Sequence, residues 1–107
     1  MRYHLIVYVP VADADRLREA LSKAGAGQLG NYDSCSFSSR GMGRYRPLKG
    51  AHPTVGTVGR LEELEEEKIE VMVDVPSEDD LRNVMETIRE AHPYEEPAIH
   101  VLPMLDL

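Results

Sequence analysis

The residues of this 107-residue chain that could do chemistry are four histidines, one cysteine, an arginine–glycine segment and a corner with two adjacent carboxylates. His4, His52, His92 and His100 show no H-x-H or H-E-x-x-H spacing, so no metal motif is written in consecutive sequence. His4 and His100 are the candidate metal pair, because the first and last strands are expected to be neighbours that present both side chains on one face. A third ligand would come from Glu95, Glu96 or another subunit, and the site would suit a divalent metal such as copper or zinc. The plainer alternative is two polar residues at an interface. Cys35 lies in YDSCSFS (32–38), whose alternation sets Cys35 and Phe37 on one side. It is a metal ligand or nucleophile, or else a small core residue, the commoner role of a free thiol. No histidine neighbours it in sequence, so neither the base nor the orienter of a cysteine enzyme is evident.

RGMGRYR (40–46) reads as a flexible anion-binding loop. Gly41 and Gly43 would free backbone N–H groups, and Arg40, Arg44 and Arg46 would offer guanidinium forks. It lacks the G-x-x-x-x-G-K-[ST] spacing of a P-loop. The alternative is a hairpin whose arginines pair with EELEEE (62–67). Asn31, Tyr32 and Asp33 follow Gly30 and suit a tight turn. In HPYEEP (92–97) the prolines set the path of the chain. Tyr94 can bury its ring while Glu95 and Glu96 project. Consecutive residues of an extended chain point apart, so these two carboxylates do not make a catalytic pair. Asn31, Tyr32, Asp33, Cys35, Arg40, Gly41, Gly43, Arg44, Arg46, His92, Tyr94, Glu95 and Glu96 make the candidate ligand-binding set.

Composition narrows the function. Apolar residues make up 42% and charged residues 29%, a globular balance, and the length suits one domain over residues 1–107. A single Cys excludes an internal disulfide framework and a multi-cysteine zinc site, and fits a reducing, cytoplasmic setting. The longest apolar stretch, residues 5–12, is too short to cross a bilayer, so no membrane span is expected. The net charge of −7 argues against nucleic acid. That charge is uneven: residues 1–60 hold nine Lys/Arg and four Asp/Glu, residues 61–107 three and fifteen.

Periodicity supplies the elements that must position these groups. RYHLIVYVP (2–10) alternates as a strand, with Leu5, Val7 and Val9 on one face and His4, Ile6 and Tyr8 on the other. Residues 13–24 repeat apolar positions at helical spacing, and Gly25 is a natural stop. A second strand is expected at 32–38 and an extended loop or edge at 40–53. EELEEE reads as a solvated acidic surface, followed by a strand at 68–75. Ser77 caps a second helix through Ala91, and residues 98–104 form the last strand. The order βαββαβ predicts an α+β, ferredoxin-like sandwich, with both helices on one face of an antiparallel sheet. The other face would expose Ile6, Tyr8, Met72 and Leu102, which favours burial in a homo-oligomer.

Residues 25–70 and the motif AHPYEEPAIHVLP (91–103) resemble the domain inserted in long bacterial members of the NIF-three-like family, the homologues of GTP cyclohydrolase type two. The motif GNYDSCSF is part of that likeness. HPYEEPA also resembles the C-terminal signature of the CutA divalent-cation-tolerance proteins. The resemblance implies a CutA/PII-like fold that assembles as a trimer. It does not imply the dinuclear-metal hydrolase chemistry of the flanking halves. The expectation is a non-enzymatic module that binds a small ligand or a divalent metal where the 40–56 loop of one subunit meets the HPYEEP corner of another. The competing expectation is a structural module that docks on a protein partner. The basic stretch 40–60 and the acidic stretch 62–70 would then pair on adjacent strands.

Overall fold

The strict alternation of Leu5, Val7 and Val9 with His4, Ile6 and Tyr8 forms β1 (Arg2–Pro10), the central strand of the sheet. The computed structural model describes residues 1–107. After β1 come α1 (Ala14–Lys23), β2 (Phe37–Tyr45), β3 (Glu62–Asp74), α2 (Glu78–Ala91) and β4 (Ile99–Pro103). The strands are ordered β2-β3-β1-β4, and every neighbouring pair is antiparallel. This is the ferredoxin-like βαββαβ arrangement with both helices on one face.

The core lies between that face and the helices. Leu5, Val7 and Val9 of β1 and Ile69, Val71 and Val73 of β3 pack against Leu17 and Leu21 of α1 and Val84 and Ile88 of α2. Each such side chain contributes about 1.5–3 kcal/mol when fully buried. The helix ends follow local rules. The Ser77 hydroxyl accepts the Asp80 N–H at 3.3 Å, and three acids occupy the first turn of α2, where the helix dipole favours them. Gly25 has φ +90° just past α1, a conformation costly for other residues.

Two expected boundaries are displaced. The second strand is not residues 32–38; it runs Phe37–Tyr45. The preceding segment folds into a turn instead. Leu29 and Tyr32 exchange backbone hydrogen bonds of 2.9 and 3.0 Å, and Ser34 takes φ +57°. Gly27 anchors the turn to the sheet, because its N–H donates to Met72 O at 2.8 Å and its carbonyl accepts from Cys35 N at 2.9 Å. The segment RGMGRYR is therefore strand, not flexible loop.

EELEEE is likewise the first half of β3 rather than a loose acidic surface. Thirteen residues make β3 longer than its neighbours. β1 pairs with residues 66–74 and β2 with residues 62–70, so β2 and β3 continue as a two-stranded ribbon beyond the body of the sheet. Cross-strand charge makes such an acidic strand tolerable. Arg44 lies opposite Glu63 and binds it at 2.9 Å, and Arg40 lies opposite Glu67. Glu67 itself is buried and is held by Arg18 of α1 at 2.7 Å. The guanidinium also bonds Ser38 and Asp15, and its bonds to Glu67 and then to Asp15 raise its already high pKa.

The face away from the helices is open. It carries half-buried Ile6, Tyr8 and Met72 and exposed Leu102, as the alternation implies, together with exposed Phe37. The shifted start of β2 places Phe37 opposite Glu70, on the open face.

Candidate functional site

β1 ends, β2 ends and the chain leaves α2 at one end of the molecule, and the three termini enclose a cleft of about 250 Å³. Each element delivers a tyrosine or an acid to it. Tyr8 comes from the open face of β1, Tyr45 from the last position of β2, Glu66 from the open face of β3, and Tyr94 from the corner after α2. Pro47, Pro53 and Val55 add apolar surface, and Arg44, Arg46, Glu95 and Glu96 add charge to the lining.

Hydrogen bonds fix the cleft from both sides. The Tyr94 hydroxyl donates to the Glu66 carboxylate at 3.1 Å. The Tyr45 and Tyr94 rings meet edge to face, with centroids 5.8 Å apart. The Tyr45 hydroxyl donates to Val55 O at 2.5 Å and so ties the end of β2 to the loop that follows. That loop is pinned to the corner after α2 by Thr54 Oγ1, which donates to Pro93 O at 2.6 Å, and by His52 N–H, which donates to Glu95 at 2.9 Å. Within one subunit the 40–56 segment and the HPYEEP corner already meet. Both follow strand or helix ends at the same edge of the sheet, and direct bonds close the gap.

His92 is the hinge of the corner. It is 6% exposed. Its Nε2 donates to Tyr8 O at 2.7 Å, and its Nδ1 accepts the Tyr94 N–H at 3.1 Å. One ring nitrogen must donate and the other must accept, so the ring is held as the neutral Nε2–H tautomer. Burial lowers its pKa, against the smaller opposing effect of the Tyr8 carbonyl. Burial, then the negative charge of Glu66, pushes the Tyr94 phenol far above the usual tyrosine range. Burial also raises Tyr45, helped by Glu62.

Gly43 lies across from Leu64 on β3, yet a Cβ there would collide with the carboxylate of Glu66. The position gives Glu66 room to reach Tyr94. Gly41 has no such neighbour.

The cleft gathers only part of the expected ligand set. Arg44, Arg46, Tyr94, Glu95 and Glu96 line it, and His92 and Gly43 support it. Arg40 and Gly41 lie further along β2. Asn31, Tyr32 and Asp33 are exposed in the turn before β2. Cys35 is neither mid-strand nor in the core. It is half-buried, with its thiol 3.7 Å from Asp33 O, and it lines a separate hollow with Arg18 and Ser22.

His4 and His100 share the open face, as expected. β1 pairs His4 with Leu102 and His100 with Ile6, so the two histidines are diagonal rather than opposite. His4 Nε2 lies 3.1 Å from Glu70 Oε1, and the His100 ring meets Tyr8 edge-on at 5.6 Å. No three His, Cys, Asp or Glu side chains converge on a metal position within the chain. No helix is long and apolar enough to cross a membrane.

Tyr45 and Glu66 escape the sequence reading, and Tyr8 enters it only as an apolar face residue. Extending the period-two alternation of β3 back through Lys68, Glu66 and Leu64 would have set Glu66 beside Tyr8 on the open face.

No protein-family model matches the chain. Its sequence is 44% identical over 102 residues to a GTP cyclohydrolase 1 type 2 homolog from Halalkalibacterium halodurans, covering 95% of this chain and 27% of that protein. The corresponding Bacillus subtilis protein is 42% identical over 100 residues, covering 94% of this chain and 26% of its own length. The chain thus spans about a quarter of the length of the curated relatives it matches. A Bacillus cereus protein related to NIF3 superimposes over 98% of this chain and 26% of its own, with TM-score 0.81 and 39% identity. The divalent cation tolerance protein Cut A1 from Thermus thermophilus superimposes over 99% of this chain and 86% of its own, with TM-score 0.68 and 20% identity. CutA from Archaeoglobus fulgidus gives TM-score 0.67 at 16% identity, covering 97% and 84%. At these identities the CutA likeness establishes the fold. The sequence kinship is with a segment of the NIF3-related GTP cyclohydrolase 1 type 2 homologs.

Proposed function

We propose that this chain, homologous over nearly its whole length to part of the NIF3-related proteins and folded like CutA, acts by binding a small ligand and not by catalysis. The observation that carries the reading is the cleft itself. Apolar walls with a few fixed polar groups are the general form of a small-molecule site. Here the Tyr45 hydroxyl is bonded to Val55 O, the Tyr94 hydroxyl to Glu66, and the backbone carbonyl of Tyr8 to His92. The single thiol, Cys35, lies outside the cleft.

The open face supports self-association. Phe37 and Leu102 are 68% and 52% exposed on it, beside Ile6 and Met72. Copies of the chain, three by the expectation set out above, would cover this surface. The cleft would then report ligand state to the assembly, because Tyr8 belongs both to the cleft and to the open face.

A thermal-shift panel of nucleotides and divalent ions, run beside native mass measurement, tests both parts. Stabilisation by a panel member and an oligomeric mass are expected. A monomer that no compound stabilises would overturn the reading. Copper(II) and zinc belong in the panel, because His4 and Glu70 form a ready pair that a second copy would have to complete. Equal metal affinity in the His4→Ala/His100→Ala protein would remove the metal form of the proposal.

A docking role is the second reading. It is favoured by the fact that the curated relatives are about four times longer than this chain. It predicts no response in the ligand panel and a protein bound to the Phe37–Leu102 face.

A further inference from the structure

We infer that the cleft takes a small organic cation, a primary or quaternary ammonium compound, seated against Tyr45 and Tyr94 and neutralised by Glu66. The inference rests on the reading of the cleft as a ligand site and adds the charge and class of its occupant.

Three observations carry it. First, the walls are aromatic. Tyr8, Tyr45 and Tyr94 line one cleft, and the edge-to-face contact of Tyr45 with Tyr94 sets two rings at 61° to each other. The negative face of an aromatic ring attracts a cation. Second, the charge is unbalanced toward acid. Glu66, Glu95 and Glu96 line the cleft against Arg44 and Arg46. Arg44 is already neutralised by Glu63, which lies outside it, so three carboxylates face Arg46 alone. Third, the carboxylates keep unused acceptors. Tyr94 bonds one oxygen of Glu66 and His52 N–H bonds one oxygen of Glu95, which leaves the second oxygen of each for a ligand N–H or an adjacent charge. An anionic ligand would instead face these acids with one free arginine. The volume, about 250 Å³, lies below the ~300–1,000 Å³ of ordinary drug-sized sites and points to a compact molecule.

Calorimetric titration at matched ionic strength tests the inference with choline, putrescine, ATP, citrate and 3,3-dimethylbutan-1-ol, the uncharged isostere of choline. Choline or putrescine should bind, and for choline the isostere should be about tenfold weaker or worse, in keeping with the size of desolvated cation–ring attraction. Two variants carry opposite signs. Glu66→Gln keeps an acceptor for the Tyr94 hydroxyl and should weaken cation binding about tenfold. Arg46→Gln removes the competing charge and should tighten it. Circular dichroism confirms that each variant is folded. Equal binding of choline and its isostere, or anion binding that Arg46→Gln abolishes, overturns the cation assignment and leaves the cleft as a ligand site. Silence from every probe overturns both.

Discussion

The Tyr94 hydroxyl donates to the Glu66 carboxylate at 3.1 Å and so joins the corner after α2 to the third strand. Neither residue is fully exposed, and each limits where the other can go. Tyr94→Phe keeps the ring and removes the bond, which leaves a half-buried carboxylate short of a partner. A loss of about 1–2 kcal/mol in urea denaturation is expected. The raised phenol pKa also sets a pH window. Its stability contribution is full below the ordinary tyrosine range, near ~10, and is lost as pH rises above it, because the unfolded chain ionises first. Spectroscopic titration of tyrosinate should show a component that ionises well above the ordinary tyrosine range and disappears in Tyr94→Phe. Simultaneous titration of all five tyrosines would contradict the buried pair.

His92 predicts the opposite pH slope. Its pKa is depressed in the folded protein, so its contribution is complete above the unfolded value near ~6.5 and declines as pH falls below it. Protonation at Nδ1 also destroys the acceptor for Tyr94 N–H. The melting temperature should fall between pH 7 and 5, and the His92→Gln protein, though less stable at pH 7, should lose less over that interval. Parallel curves for the two proteins would assign the slope to other groups.

Gly43 and Gly41 lie two residues apart on one strand and should respond differently. Gly43→Ala forces the Glu66 side chain away from Tyr94 and should cost about 1 kcal/mol, the worth of the broken bond. Gly41→Ala meets nothing within 4 Å and should be neutral or slightly stabilising. Denaturant midpoints for the two proteins decide it, and equal midpoints would mean that Glu66 has another resting place.

Arg18 and Glu67 should also be asymmetric. Arg18→Met strands a carboxylate whose side chain is 10% exposed, at a cost of about 1–3 kcal/mol. Glu67→Met leaves an arginine still bonded to Asp15 and able to reach solvent, so it should cost less. A costlier Glu67→Met in chemical denaturation would reverse this ordering.

The sequence makes most of the fold legible, and the misplaced parts share one cause. β1, α2 and its Ser77 cap follow from alternation, helical spacing and a capping residue. β2 does not. YDSCSFS alternates well but lies where Gly27 and a left-handed Ser34 turn the chain. RGMGRYR, broken by glycines, is strand because the long β3 offers it an edge and because Gly43 leaves space for Glu66. An acidic run has no apolar alternation to announce a strand, and its partners, Arg18, Arg40 and Arg44, are distant in sequence or separated by a long loop. The cleft was half visible. HPYEEP and the arginines were recognised, whereas Tyr45 and Glu66 join them only once β3 begins at Glu62. Cys35 carried the most conspicuous chemistry in the sequence and stands apart from the site.

The central claim is that one subunit's own cleft, bounded by residues 44–55 and 92–98, is the binding site. Backbone amide NMR during titration with choline tests it most directly. Shifts concentrated at Tyr8, Tyr45, Glu66 and Tyr94 are predicted, with loss of those shifts in Glu66→Gln. Shifts confined to residues 29–36 around Cys35, or to the His4–His100 face alone, would contradict it.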